Sequence, residues 1–209
     1  MCRKSVLAFL LLSSIDASSG QSTQSGRLDE AASPWKQIAA VRMTRGGCYR
    51  SDYFNFTYCL PDHFVNRTED FKNEYRALRQ KYHADLSTSP ILLHAQMPPE
   101  ESAESGVEIT ITADTLSRYD GITQRGFMQR TAKSMTVAGD DVLEQGKEVE
   151  ISGWTFLRAD YKISQPKIRY LTVMVAFRKD FALLWQISAH SKKEVDSIAG
   201  VMQRKLITR

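Results

Sequence analysis

The sequence predicts an α+β fold, an antiparallel sheet flanked by helices. Three observations carry this. Several short segments alternate apolar and polar residues with a period of two. Two longer segments repeat their apolar residues at helical spacing. The last third of the chain reads as strand, strand, strand, helix, which is the order of an antiparallel meander closed by a helix. All positions are in the numbering of the 209-residue chain.

In chain order, Tyr53 to Leu60 is the first clear strand. Phe54, Phe56, Tyr58 and Leu60 share one face, Tyr53, Asn55, Thr57 and Cys59 the other, and Pro61 ends the run. Glu69 to Tyr82 is predicted as a helix. Phe71, Tyr75, Leu78 and Tyr82 fall on one face, and Asn66 with Glu69 resembles a capping box. Ile91 to Met97 reads as a strand that stops at Pro98-Pro99. Val107, Ile109, Ile111 and Ala113 alternate with Glu108, Thr110 and Thr112, a strand with one wet face. Thr115 to Val137 is weaker. Phe127, Met128, Thr131 and Met135 suggest a helical face, while Gly121 and Gly126 disfavour its start.

Val149 to Ile163 alternates, with Trp154, Phe156 and Arg158 on one side and Thr155, Leu157, Ala159, Tyr161 and Ile163 on the other. Ile168 to Phe177 is apolar on both faces, as a central strand is. Arg178-Lys179-Asp180 turns the chain, and Phe181, Leu183, Trp185, Ile187 and Ala189 return on one face. Ser191 and Glu194 form a capping box, and Val195, Ile198, Ala199, Met202 and Leu206 line the closing helix. The expected product is one sheet of about five to seven strands with helices packed on it. No internal repeat is visible.

Residues 1–20 read as a secretory signal peptide. Arg3 and Lys4 precede the apolar run Val6 to Leu12, and the small residues Ala17, Ser18, Ser19 and Gly20 follow. The run is shorter than the roughly 20 residues a membrane span needs. Cys2 precedes it, so Cys2 is not placed as a lipid anchor. Residues 21–33 are small and polar and read as a flexible leader. Residues 34–209 are then one α+β domain. The expected location is secreted or periplasmic, outside the cytoplasm. The chain has 28 Lys+Arg against 24 Asp+Glu, a net +4. Loss of the signal leaves +3. No block of like charges marks a nucleic-acid partner, and no later stretch is apolar enough for a membrane span.

An oxidising destination favours a disulfide between Cys48 and Cys59. Geometry sets a condition. A two-residue turn at Ser51-Asp52 puts Cys59 about 13 Å from the residue opposite Cys48, counted at about 3.4 Å per residue. Bridged Cα atoms lie about 4.4–6.8 Å apart. A tight hairpin excludes the bond, and a wider loop permits it. Two thiols at this spacing do not match a zinc pattern, so no metal is expected.

No catalytic or phosphate-binding motif is present, and no cofactor is expected. His63, His83, His94 and His190 share no helical or strand spacing; surface or structural roles are expected for them. Arg158, Asp160 and Lys162 form a charged strand stripe that follows Trp154. Arg158, Asp160, His190 and Trp154 are therefore the candidate ligand-binding residues. The ordinary reading of such a stripe is a solvated face or a cross-strand ion pair. Asn55-Phe56-Thr57 and Asn66-Arg67-Thr68 match the N-glycosylation pattern, a short and frequent one.

The segment GGCYRSDYFNFTYCLPDHF and the stretch from ISGWTFLRADYKI to MQRKL resemble the PsbP-like superfamily. The resemblance runs from Gly46 to Leu206 and is carried by its two ends. Asn55 stands where the pattern commonly has glycine, and the cysteines at 48 and 59 depart from it. The resemblance implies an α-β-α sandwich. It implies little chemistry, because the superfamily includes an extrinsic photosystem II subunit and a Ran-binding import factor, both non-enzymatic binders. The leading expectation is thus a secreted, non-catalytic binding or assembly domain for an extracytoplasmic protein or small ligand. The alternatives are a hydrolase with a site assembled from Arg158, Asp160 and His190, and a carrier for a small apolar ligand.

Overall fold

The computed structural model describes residues 38, 42–44, 46–82, 89–98, 106–164 and 168–208. The signal at 1–20, the leader at 21–33 and His83 lie outside the described residues.

Near the N-terminus come β1 (Arg42–Met43), β2 (Cys48–Ser51), β3 (Phe56–Cys59) and β4 (Val65–Asn66). Helix α1 (Thr68–Tyr82) and the strands β5 (Ile91–Gln96) and β6 (Glu108–Thr115) follow. Helix α2 (Gln124–Val137) leads into the meander β7 (Asp141–Ile151), β8 (Trp154–Ile163), β9 (Arg169–Arg178) and β10 (Phe181–Ala189). Helix α3 (Lys192–Lys205) and β11 (Leu206–Thr208) finish the described chain.

The fold is α+β and all strand pairing is antiparallel. The sequence predicts one sheet; there are two. Seven strands run in the order β4-β5-β6-β10-β9-β8-β7, and four run β1-β2-β3-β11. One face of the large sheet carries Leu157, Ala159, Val173, Val175 and Ala182. It packs against Phe127, Met128, Ala132 and Met135 of α2. The opposite face carries Ile109, Ile111, Phe156, Met174, Leu183, Trp185 and Ile187. It is covered by α3 and by Tyr49, Phe56 and Tyr58 of the small sheet. All five residues expected to line the closing helix are buried: Val195, Ile198, Ala199, Met202 and Leu206.

Several elements differ from the sequence reading. The first strand begins at Phe56, because residues 52–55 form a four-residue turn with Asn55 at φ 60°. Asparagine is among the few side chains that adopt this left-handed conformation readily. Strand β6 has no wet face: Thr110, Thr112 and Asp114 are buried, as Ile109 and Ile111 are. The alternation from Val149 to Ile163 is a hairpin. It bends at Ser152-Gly153, both at positive φ, the geometry of a two-residue primed turn. Helix α1 begins at Thr68, so Asn66, the expected cap, stands one residue ahead of the N-cap position, its Oδ1 accepting from the Thr68 N–H at 3.0 Å. The Ser191–Glu194 capping box on α3 is present in full.

Cys48 and Cys59 are register partners in the β2–β3 hairpin and are joined by a disulfide. The wide turn supplies the condition the spacing sets. The Leu60 N–H donates to the Gly47 carbonyl, so the next pair falls at a non-hydrogen-bonded position, where opposite side chains approach more closely.

Candidate functional site

Strand β8 puts Arg158 and Asp160 on the sheet face that α3 covers. The period of two keeps them on one side, and they meet as a bidentate pair. Arg158 Nε lies 2.9 Å from Asp160 Oδ1, and a terminal guanidinium nitrogen 3.0 Å from Oδ2. Thr172, the partner of Asp160 on β9, donates its hydroxyl to Oδ1 at 2.6 Å. From the first turn of α3, Lys192 Nζ reaches Oδ2 at 3.1 Å. Asp196, one turn later, takes Lys192 at 3.0 Å and also accepts from Arg158.

The network grades from interior to solvent. The Asp160 side chain is 4% exposed and that of Asp196 44%. Burial works against the charged form of Asp160. Hydrogen bonds from Arg158 and Thr172, the nearby Arg158 charge and the Lys192 bond outweigh it and hold the carboxyl below its ordinary range. Burial likewise works to lower the Arg158 pKa, but its bonds to Asp160 and Asp196 raise it. Each Asp160 oxygen thus accepts from two donors. Such a carboxylate is a poor proton acceptor, and the cluster acts chiefly to hold α3 on the sheet.

Trp154 lies apart from this network. Trp154 is four residues from Arg158 along β8, about 13 Å at strand spacing. It is buried in an aromatic cluster with Phe56, Phe156 and Trp185 at centroid distances of 5.7, 6.2 and 6.5 Å. The Arg178 guanidinium stacks over its ring at 4.1 Å. His190 lies in the link from β10 to α3, half-buried, one residue before the capping Ser191.

Sequence reasoning missed Thr172, Lys192 and Asp196. Lys192 and Asp196 are an i,i+4 pair opening a helix whose phase the capping box already sets, so that signal was available. Thr172 required the strand register. A second polar cluster, on the opposite face, was also missed. His94 Nδ1 lies 2.9 Å from Thr110 Oγ1, and its ring stacks on Phe71 of α1 at 4.0 Å. Burial, with a smaller push from Arg67, lowers the His94 pKa to about 4. Two rungs of pairing away on β6, Glu108 is pushed up to about 7 by burial, partly offset by Arg169. Arg169 donates to Ser188 at 2.9 Å and to the Gly106 carbonyl.

Among the described residues no group of three His, Cys, Asp or Glu side chains is placed to hold a metal ion. No described helix is long and apolar enough to cross a membrane. Asn55 is exposed on the turn of the disulfide-closed hairpin. In the second glycosylation pattern Thr68 is buried, and its hydroxyl donates to Asn66 Oδ1.

No family model matches the chain. No curated protein matches it either. Solved structures are similar in fold, two of them as follows. One is the cyanobacterial PsbP (CyanoP) of Synechocystis, at 10% identity and a TM-score of 0.48, covering 88% of this chain and 98% of that one. The other is the Saccharomyces cerevisiae Ran-binding protein Mog1p, at 12% identity and a TM-score of 0.46, covering 74% of this chain and 90% of that one. They are the two kinds of protein named by the sequence resemblance. At these identities the likeness transfers no residue role.

Proposed function

We propose that the chain is an exported, non-catalytic binding or assembly domain that takes a protein partner outside the cytoplasm. The Cys48–Cys59 disulfide is the observation that carries this reading. Such bonds persist in secreted and periplasmic proteins and are rare where thiols are kept reduced. The basic start, apolar run and small residues of 1–20 support the same destination.

The non-catalytic part rests on how the polar residues are spent. Arg158 and Asp160 satisfy each other and α3, and His94 is hydrogen-bonded, stacked and lowered in pKa. The hydrolase alternative needs a base with affinity for a proton, and Asp160 with four donors supplies little of it. The test is affinity capture with the oxidised mature chain from the envelope or culture fluid of its own source, under chemical cross-linking. One protein enriched reproducibly over an unfolded control supports the reading. Repeated return of background alone overturns it.

A further inference from the structure

The outward face of the small sheet has an unusual register. One row crosses all four strands: Arg42 on β1, Arg50 on β2, Thr57 on β3 and Ile207 on β11. The next row runs through Met43, Tyr49, Tyr58 and Leu206; Tyr49, Tyr58 and Leu206 point inward and are buried, while Met43 on the edge strand is exposed. The first row therefore faces outward, as do Cys48 and Cys59 two residues along. Two arginines stand directly opposite each other on it. Like charges so placed on neighbouring strands destabilise the pair. Arg50 is relieved by Asp52, its Nε 2.7 Å from Oδ1. No carboxylate among the described residues is paired with Arg42. At the far end Ile207 is 54% exposed, a large apolar side chain on an otherwise polar face.

We infer that this face docks a protein segment presenting two carboxylates beside an apolar side chain. The inference rests on the binding role proposed above and names its surface. The Arg42 guanidinium matches a carboxylate in two-point contact, and Arg50, whose Nε is held by Asp52, offers its terminal nitrogens to a second one from the neighbouring strand. Ile207 supplies the apolar anchor that a purely electrostatic site lacks. The disulfide joins β2 to β3 and keeps the row rigid, so little order is lost on binding. A protein fits better than a polyanion. Asp52 beside Arg50 interrupts the positive row that a continuous phosphate backbone would need, and the exposed Ile207 suits an apolar side chain.

The experiment uses the oxidised full chain with synthetic hexapeptides alternating Glu and Leu, and Lys and Leu. Phosphatidylglycerol vesicles and duplex DNA are run alongside. Backbone amide shifts are followed by NMR. The Glu-Leu peptide is expected to move amides of β1, β2, β3 and β11, and the Lys-Leu peptide to leave them in place. Substituting R42Q and R50Q together is expected to weaken the acidic peptide about tenfold or more, as loss of complementary charge does, with an unchanged circular dichroism spectrum. Unmoved amides, an undiminished double variant, or tighter binding of vesicles or DNA each overturn the inference. A photo-cross-linking residue at position 57 separates it from the function it rests on. A captured partner that cross-links there supports both. A captured partner that cross-links only from other faces removes this surface and leaves the binding role standing.

Discussion

Asp160 shows how a single residue sets what its neighbourhood does. Asp160→Ala removes the buried one of the two anions that Arg158 and Lys192 share, leaving them only the half-exposed Asp196, and Arg158 is largely buried. Removing one partner of such a pair is expected to cost about 3 kcal/mol, read as a lowered urea midpoint. Asp196→Asn, at the exposed end of the same network, is expected to cost under about 1 kcal/mol. The folded Asp160 pKa is depressed, so its contribution is present above the unfolded carboxylate pKa near about 4 and is lost as pH falls through the lower folded value. Asn55 is a second case. Asn55→Gly is expected to change stability by a few tenths of a kcal/mol, and Asn55→Val to cost about 1–2 kcal/mol, because β-branching resists positive φ. Thermal unfolding of both variants checks this. The sequence marks Asn55 as a departure from a common glycine, and the left-handed turn explains both residues. What it could not show at Asp160 was the company: Thr172 and Lys192 come from other elements, and only register and helix docking bring them there.

Among the elements, β5 and β6 carry two titrations of opposite sign. His94, lowered to about 4, stabilises the fold above its unfolded pKa of 6.5 and loses that contribution as pH falls. The difference is worth about 3 kcal/mol in full. Glu108, raised to about 7, stabilises below its unfolded value of 4.5 and loses that contribution as pH rises. Between about pH 4.5 and 6.5 the two slopes oppose, so the parent protein is expected to show a shallow stability profile. Glu108→Gln is expected to make stability climb with pH, and His94→Gln to make it fall; parallel profiles for the two variants would contradict the assignment. At the β2–β3 hairpin, breaking the disulfide by Cys48→Ser with Cys59→Ser is expected to cost about 3 kcal/mol in the chain-entropy model, measured by denaturant titration. Most elements were legible because their burial is one-sided or complete. Strand β7 was not, because nearly all of its residues are exposed and an edge strand with so little burial shows no alternation. The wet face expected of β6 failed for the converse reason: Thr110, Thr112 and Asp114 are polar and yet buried.

For the whole molecule, both sheets contribute to one continuous core. Phe56 of the small sheet touches Trp185 of the large one at a centroid distance of 5.3 Å. Tryptophan fluorescence and far-ultraviolet circular dichroism are therefore expected to trace one coincident unfolding curve; two separated transitions would show that the sheets unfold independently. The α+β class could be read from periodicity, but the second sheet could not. Of its strands only β3 shows alternation in the sequence, the others holding two to four residues with no such signal, and β11 follows a helix that already ends the recognisable meander. That placement bears on the order in which the protein assembles. The β2–β3 hairpin closes across a few neighbouring residues and its thiols can oxidise on their own schedule. The edge that β11 completes brings together the two ends of the described chain, a slow search by loop-closure entropy. A chain arrested before that step would carry a finished disulfide and an open edge on β3. Such an intermediate is visible to proteases and to chaperones while thiol counting already reports it as mature.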